Sequence, residues 1–134
     1  MNLRVYFSFI ILLGTFGCDS TTDKEYFDKI VYDDFHTKYD GIVVDKYISK
    51  YDHGRHVIEL KNEIFGVDKI DFSFQSLELF NQIKIGDTIL KERKSISLKI
   101  KRKNLDTIVD LDFGKLKGSN KYYYENPYLT KEKK

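Results

Sequence analysis

Apolar residues fall into three regimes along this chain: an early continuous run, then a helical repeat, then strand-like alternation. Val5 to Phe16 is almost wholly apolar. Phe27, Ile30, Val31 and Phe35 then recur at helical spacing behind the capping residues Thr21, Thr22 and Asp23. This predicts a short amphipathic helix from about Asp23 to Phe35, with its apolar stripe on the body and Tyr26 and Tyr32 exposed. From Gly41 the texture changes. Gly41 after Tyr39-Asp40 reads as a turn opening a β-branched run from Ile42 to Ile48, and Tyr51 to Gly54 reads as a second turn before His56 to Leu60. Ile70, Phe72 and Phe74 alternate with Asp71, Ser73 and Gln75, the pattern of a half-buried strand. Ser76 caps a short helix carrying Leu77, Phe80 and Ile83, and Gly86-Asp87 turns the chain into Thr88 to Leu90. Ile96, Leu98 and Ile100 form one more alternating run, and Leu105 to Phe113 another. Lys103-Asn104 between them reads as a hairpin turn.

Five to six short strands with one helix among them predict a mainly β domain. The expected form is a small barrel or a curled antiparallel sheet, preceded by the N-terminal helix. Closing the sheet would remove exposed edges. Residues 114–134 are rich in Lys and Tyr, contain the only proline, Pro127, and are expected to fray at the end. The expected division is a leader over 1–17, an entry segment with its helix over 18–40, a β-rich domain over 41–113 and the terminal segment over 114–134.

The first apolar run is about a dozen residues, too short to cross a bilayer as a stable helix, which needs roughly 20. Arg4 precedes it, and Gly17 places a small residue directly before Cys18, the only cysteine. Positive charge, apolar core, small residue and cysteine in that order resemble a bacterial lipoprotein signal peptide. That resemblance implies acylation of the Cys18 thiol and cleavage just before it. Thr15-Phe16-Gly17 also satisfies the looser small-x-small rule of ordinary secretion. A lipidated Cys18 would leave no thiol for a disulfide, so the core alone would hold the domain. About 115 residues would remain, enough for one domain. Removing Arg4 with the leader leaves 22 basic against 21 acidic residues, a balance that points away from nucleic acid.

Candidate chemistry is sparse. Asp52-His53-Gly54-Arg55-His56 brings two histidines near a carboxylate, but in a turn without helical ligand spacing, and a polar hairpin tip explains it. His53-Gly54 followed later by Gly86-Asp87 is similar to the turns of zinc peptidoglycan endopeptidases. The His-x-His pair that those enzymes require does not occur, so neither a metal nor an active peptidase is expected. No serine lies in a Gly-x-Ser-x-Gly turn. Asp33-Asp34 and Asp110-x-Asp112 are paired carboxylates that solvated strand and helix faces explain. Neither a catalytic set nor a cofactor site is expected.

The basic cluster is the binding candidate. Lys91, Arg93, Lys94, Lys99, Lys101, Arg102 and Lys103 fall within thirteen residues, against one acid, Glu92. The expected anionic-partner contact is Lys99, Lys101, Arg102 and Lys103 on a hairpin edge. Edge lysines that deter sheet-to-sheet association are the plainer reading. Tyr122-Tyr123-Tyr124 with Tyr128 offers either an aromatic platform for glycan or protein, or a last strand covering the barrel mouth.

The chain as a whole is similar to small lipoproteins of Bacteroidota-type bacteria. The marks are Cys18 after its leader, Gly41-Ile42-Val43, the polar turn with His53 or His56, and Ile85 to Lys91 before the basic hairpin. The resemblance implies an envelope location, lipid-anchored and expected at an outer membrane, and carries no activity with it. Two function classes remain: a binding module contacting an envelope protein or an anionic envelope component, or a degenerate or unrecognised cell-wall-acting enzyme distantly like the zinc endopeptidases. The anchor is directly testable. Cys18→Ser should abolish metabolic labelling by fatty acid and block lipoprotein maturation, because it removes the thiol that the resemblance implies is acylated. Unchanged labelling would refute it.

Overall fold

The computed structural model describes residues 21–130. Cys18 and the leader over 1–17 lie outside the described residues. Helix α1 spans Asp23–His36, with Thr22 as its N-cap. The Thr22 hydroxyl accepts from the Glu25 N–H at 3.2 Å, and the Glu25 carboxylate accepts from the Thr22 N–H at 2.8 Å. This reciprocal box answers two of the donors that a helix start leaves open. The helical spacing of Phe27 and Val31 buries both completely, whereas Tyr26 and Tyr32 remain about half exposed.

Six strands follow: β1 (Tyr39–Ile48), β2 (His56–Asn62), β3 (Gly66–Asp71), β4 (Thr88–Lys91), β5 (Ser97–Arg102) and β6 (Leu105–Asp110). They form one antiparallel sheet in the order β3-β2-β1-β4-β5-β6. The sheet is open, with β3 and β6 at its edges, so the barrel form of the expectation does not hold. Between β3 and β4 the chain passes through α2 (Leu77–Gln82). The Ser76 hydroxyl caps α2 by accepting from the Leu79 N–H at 3.1 Å. Phe80 of α2 stacks on His56 of β2 at 4.9 Å, and the Gln82 carbonyl accepts from Arg102 of β5 at 2.9 Å. The helix therefore carries the chain across one face of the sheet.

That inner face holds the core. Val43, Ile58, Leu60, Ile89, Leu98 and Ile100 meet Phe27, Val31, Leu79, Phe80 and Ile83 from the helices. Gly41 is not a turn but lies inside β1, at φ 153°. A Cβ there would stand 2.7 Å from the Lys61 carbonyl oxygen, so the β1–β2 approach excludes any larger residue. A bulge at Val44 shifts the β1–β2 register and turns Lys46 toward α2.

Two strand expectations are shortened. Pairing of β3 ends at Asp71, and only the Phe72 N–H continues it, to the His56 carbonyl at 2.8 Å. The Asp71 carboxylate then accepts from the Ser73 N–H at 2.9 Å, which bends the chain, so Phe74 lies in a turn. Phe72 is buried, while Ile70 and Phe74 are half-buried against the core. Likewise β6 stops at Asp110, although Leu111 and Phe113 still enter the core. The segment after it neither frays before residue 130 nor adds a strand. It forms two helical turns, α3 (Ser119–Tyr122) and α4 (Pro127–Thr130), packed on α1. Asn126 is fully buried and donates to Asp28 at 2.8 Å. Tyr122 meets Phe27 at 5.9 Å between ring centroids.

Phe72 is 1 % exposed at the junction of sheet, α2 and the returning chain. Phe72→Ala should cost about 3–5 kcal/mol, read as a lowered urea midpoint with an unchanged slope. A loss below about 1 kcal/mol would contradict this packing.

Candidate functional site

The seven cations of the 91–103 stretch separate into two groups with opposite roles. Lys91 follows Ile89 on the inner face of β4 and is fully buried. Its Nζ donates to the carbonyls of Asp34, of Thr37 at 2.7 Å and of Glu92 at 3.3 Å. Arg102 sits on the same face at the end of β5. Its guanidinium grips the buried Asp87 carboxylate through Nε at 2.7 Å and through a second nitrogen at 2.6 Å. These bonds hold the Asp87 carboxyl below its ordinary range. Lys91 is interior, whereas Arg102 is partly exposed above the buried Asp87. Arg102, expected to touch an anionic partner, is engaged within the fold.

Lys99 and Lys101 point the other way, because alternation along β5 puts Leu98 and Ile100 inside. Lys103 occupies the β5–β6 turn at φ 49° and is exposed. Arg93 and Lys94 are exposed in the turn between β4 and β5. Strand register builds the surroundings of Lys101. Lys61, Ile42, Thr88 and Lys101 stand side by side across β2, β1, β4 and β5. Three interstrand spacings separate the two lysines, about 14 Å. Beside this row Leu90 pairs with Lys99, which in turn opposes Ile108 of β6. The β2–β3 hairpin rises at the margin with Ile64 and Phe65 largely exposed.

A groove of about 400 Å³ lies on the outer face, with Ile42, Thr88 and Leu90 between Lys61 and Lys101 and Ile64 at its hairpin margin. Asp40 and Glu63 line its hairpin end, where the Asn62 amide donates to Asp40 at 3.1 Å. Among the described residues, Lys61, Lys99, Lys101 and Lys103 form no ion pair. Cations flanking an exposed apolar floor can hold an anionic surface that also carries apolar side chains.

The other sequence candidates are not assembled into sites. His53 stands exposed in the β1–β2 turn at φ 48°. His56 points inward, 7 % exposed, with Nδ1 lacking a hydrogen-bond partner among the described residues. Burial lowers its pKa and keeps the ring neutral. Asp52 is paired with Arg55, which also holds Asp71. Asp110 and Asp112 do not share a strand face. The first accepts from the Ser97 hydroxyl at 2.8 Å, and the second fastens the loop at Ser76. Comparison with known protein families, with curated proteins and with solved structures gives no match.

Sequence reasoning missed a buried polar column. Asp34, near the end of α1, accepts from the Gln75 amide at 3.2 Å, and the Gln75 carbonyl accepts the N–H groups of Asp112 and Phe113 at 2.9 and 3.0 Å. The available signal was Lys91 in phase with Ile89 on an apolar face. Burial pushes the Asp34 carboxyl up to about 6, against the pull of Lys91. Below about pH 4 this group is protonated whether the chain is folded or not, and it costs nothing. Between pH 4 and 6 the unfolded chain ionises first, so stability falls as pH rises. Asp34→Asn keeps an acceptor for Gln75 and removes the charge. The variant should match wild type near pH 3.5 and exceed it by about 3 kcal/mol at pH 7.5, by urea denaturation across pH. A gap of equal size at both pH values would refute the assignment.

Proposed function

We propose that this is a lipid-anchored protein of the cell envelope, attached through Cys18 to an outer membrane. It acts as a binding module whose outer sheet face receives an acidic surface of another envelope protein. The observation that carries the reading is the pair of lysines 61 and 101, without ion pairs among the described residues, lining an exposed groove, with Lys99 beside it opposite Leu90. A protein surface offers both carboxylates for the cations and apolar side chains for Ile42 and Leu90.

Placement favours a protein over the lipid headgroups of the anchoring membrane. Four residues lie between Cys18 and Asp23, so the five Cα-to-Cα steps reach at most about 18 Å. That short reach ends at the first residue of α1, the helix that covers the inner face of the sheet. Lys99 and Lys101 lie on the opposite face.

Replacing Lys99, Lys101 and Lys103 with Gln tests the reading. Wild-type protein should capture the partner from envelope extract at low salt and release it at high salt, because screening shortens to about 3 Å at 1 M. The triple variant should bind about tenfold more weakly and with a smaller salt dependence, at an unchanged unfolding midpoint. Equal recovery of the same proteins by both would leave these lysines as solvated residues of the outer face, since β5 is paired on both sides and is not an edge.

A further inference from the structure

The C-terminal segment builds a second cleft, apart from the lysine-bordered groove and independent of it. Its volume is about 480 Å³, and Asp112, Gly114, Ser119, Asn120, Tyr123 and Tyr124 line it. That size falls within the roughly 300–1,000 Å³ of small-molecule sites. We propose that this cleft binds a saccharide, with one pyranose ring against the tyrosine pair and its hydroxyls on Asp112, Ser119 and Asn120.

The chemistry of the lining selects the ligand class. None of the six residues is basic, so a phosphate or carboxylate ligand would meet only the Asp112 charge. A wholly apolar ligand would cover a carboxylate, an amide and a hydroxyl without answering them, a desolvation cost for each. A pyranose matches both halves. Its ring carries a flat face of C–H groups, and its rim carries hydroxyls that donate and accept.

Asp112 is held ready for such a rim. One carboxylate oxygen accepts the N–H groups of Ser76 at 2.7 Å and Gly114 at 3.1 Å, and the other accepts the Ser76 hydroxyl. A carboxylate has about four acceptor positions, so three are filled and one remains for a sugar hydroxyl. The three bonds fix the group before any ligand arrives, which lowers the ordering cost of binding. Asn120 supplies both a donor and an acceptor, and Ser119 supplies a rotatable hydroxyl.

The aromatic wall has the right form. The Tyr123 and Tyr124 rings stand 5.8 Å apart at 71°, so one offers a face while the other closes a corner. Tyr124 is 70 % exposed. Buried Phe113 and Leu116 and the Asn126–Asp28 bond fasten the segment to the body, so the cleft is part of the packed structure.

The test is a titration of the full chain in lipid nanodiscs, observed by NMR at the tyrosine rings. The probes are chitotriose and cellotriose, both with flat, equatorially substituted rings. Mannitol, which has hydroxyls but no ring, and choline, a cation suited to aromatic faces, are the controls. Saturable shifts at Tyr123 and Tyr124 with either trisaccharide, and none with the controls, support the proposal. Tyr124→Ala and Asn120→Ala should each weaken binding about tenfold, whereas Tyr124→Phe should change it less than about twofold. Both side chains are exposed, and circular dichroism of each variant verifies the fold. Absence of shifts with both trisaccharides, equal binding of mannitol or choline, or full affinity in Tyr124→Ala would each overturn it.

Discussion

The fold depends on cations of the sheet answering the carbonyls at the ends of its helices. A helix terminus leaves its last carbonyls without partners, and burying one unanswered costs about 1–3 kcal/mol. Lys91 meets the end of α1 through Asp34 and Thr37. Lys46 meets the end of α2 through the carbonyls of Phe80 and Ile83 at 2.8 and 2.7 Å. Arg102 adds the Gln82 carbonyl while it holds Asp87. An ammonium suits this role because its three donors can be divided among several carbonyls and its charge opposes the helix dipole. Burial draws the Lys91 pKa down, so the carbonyls also offset the desolvation of the cation itself.

Fastening helices across the inner face removes the need to close the sheet. In a barrel the strands would cover their own apolar face, which requires the edges to pair. Here α1, α2 and the C-terminal turns cover it, and β3 and β6 stay apart. The edges are protected differently. Asp68 and Lys69 on β3 and Asp106 and Asp110 on β6 place charges along both borders, where they oppose pairing with another chain. Among the described residues nothing covers the outer face, and Ile42, Val44, Val67 and Ile108 remain exposed on the sheet.

Local patterns were legible where a single periodicity decided the outcome. Thr22 and the Phe27–Val31 spacing define α1 almost to the residue, and Ser76 marks α2. The hairpin turns at Tyr51 to Gly54 and at Lys103-Asn104 also follow from local residues. What could not be read depends on partners distant in sequence. Lys91 lies 57 positions from Asp34, so nothing nearby distinguishes it from the surface lysines of the same run. Arg102 reads as part of a positive edge until Asp87 is brought beneath it. The tyrosine-rich end reads as a strand or a frayed tail because its order comes from packing against α1, not from its own alternation. Openness of the sheet is likewise a property of how the helices dock.

The same docking separates the two candidate surfaces. The saccharide cleft belongs to the segment that packs beside α1, where Lys117 pairs with Asp23 at 2.8 Å at the first residue of that helix. Under the proposed attachment at Cys18, this is the region nearest the tether. The lysines at 61, 99 and 101 stand across the full thickness of the sheet from α1. A saccharide on the tether side and an acidic protein on the far side would not compete for space, since the core lies between them. Buried Lys91 makes the arrangement rigid: α1 cannot tilt against the sheet without withdrawing its last carbonyls from it. The placement of both surfaces relative to α1 is therefore set by the interaction that holds the fold together.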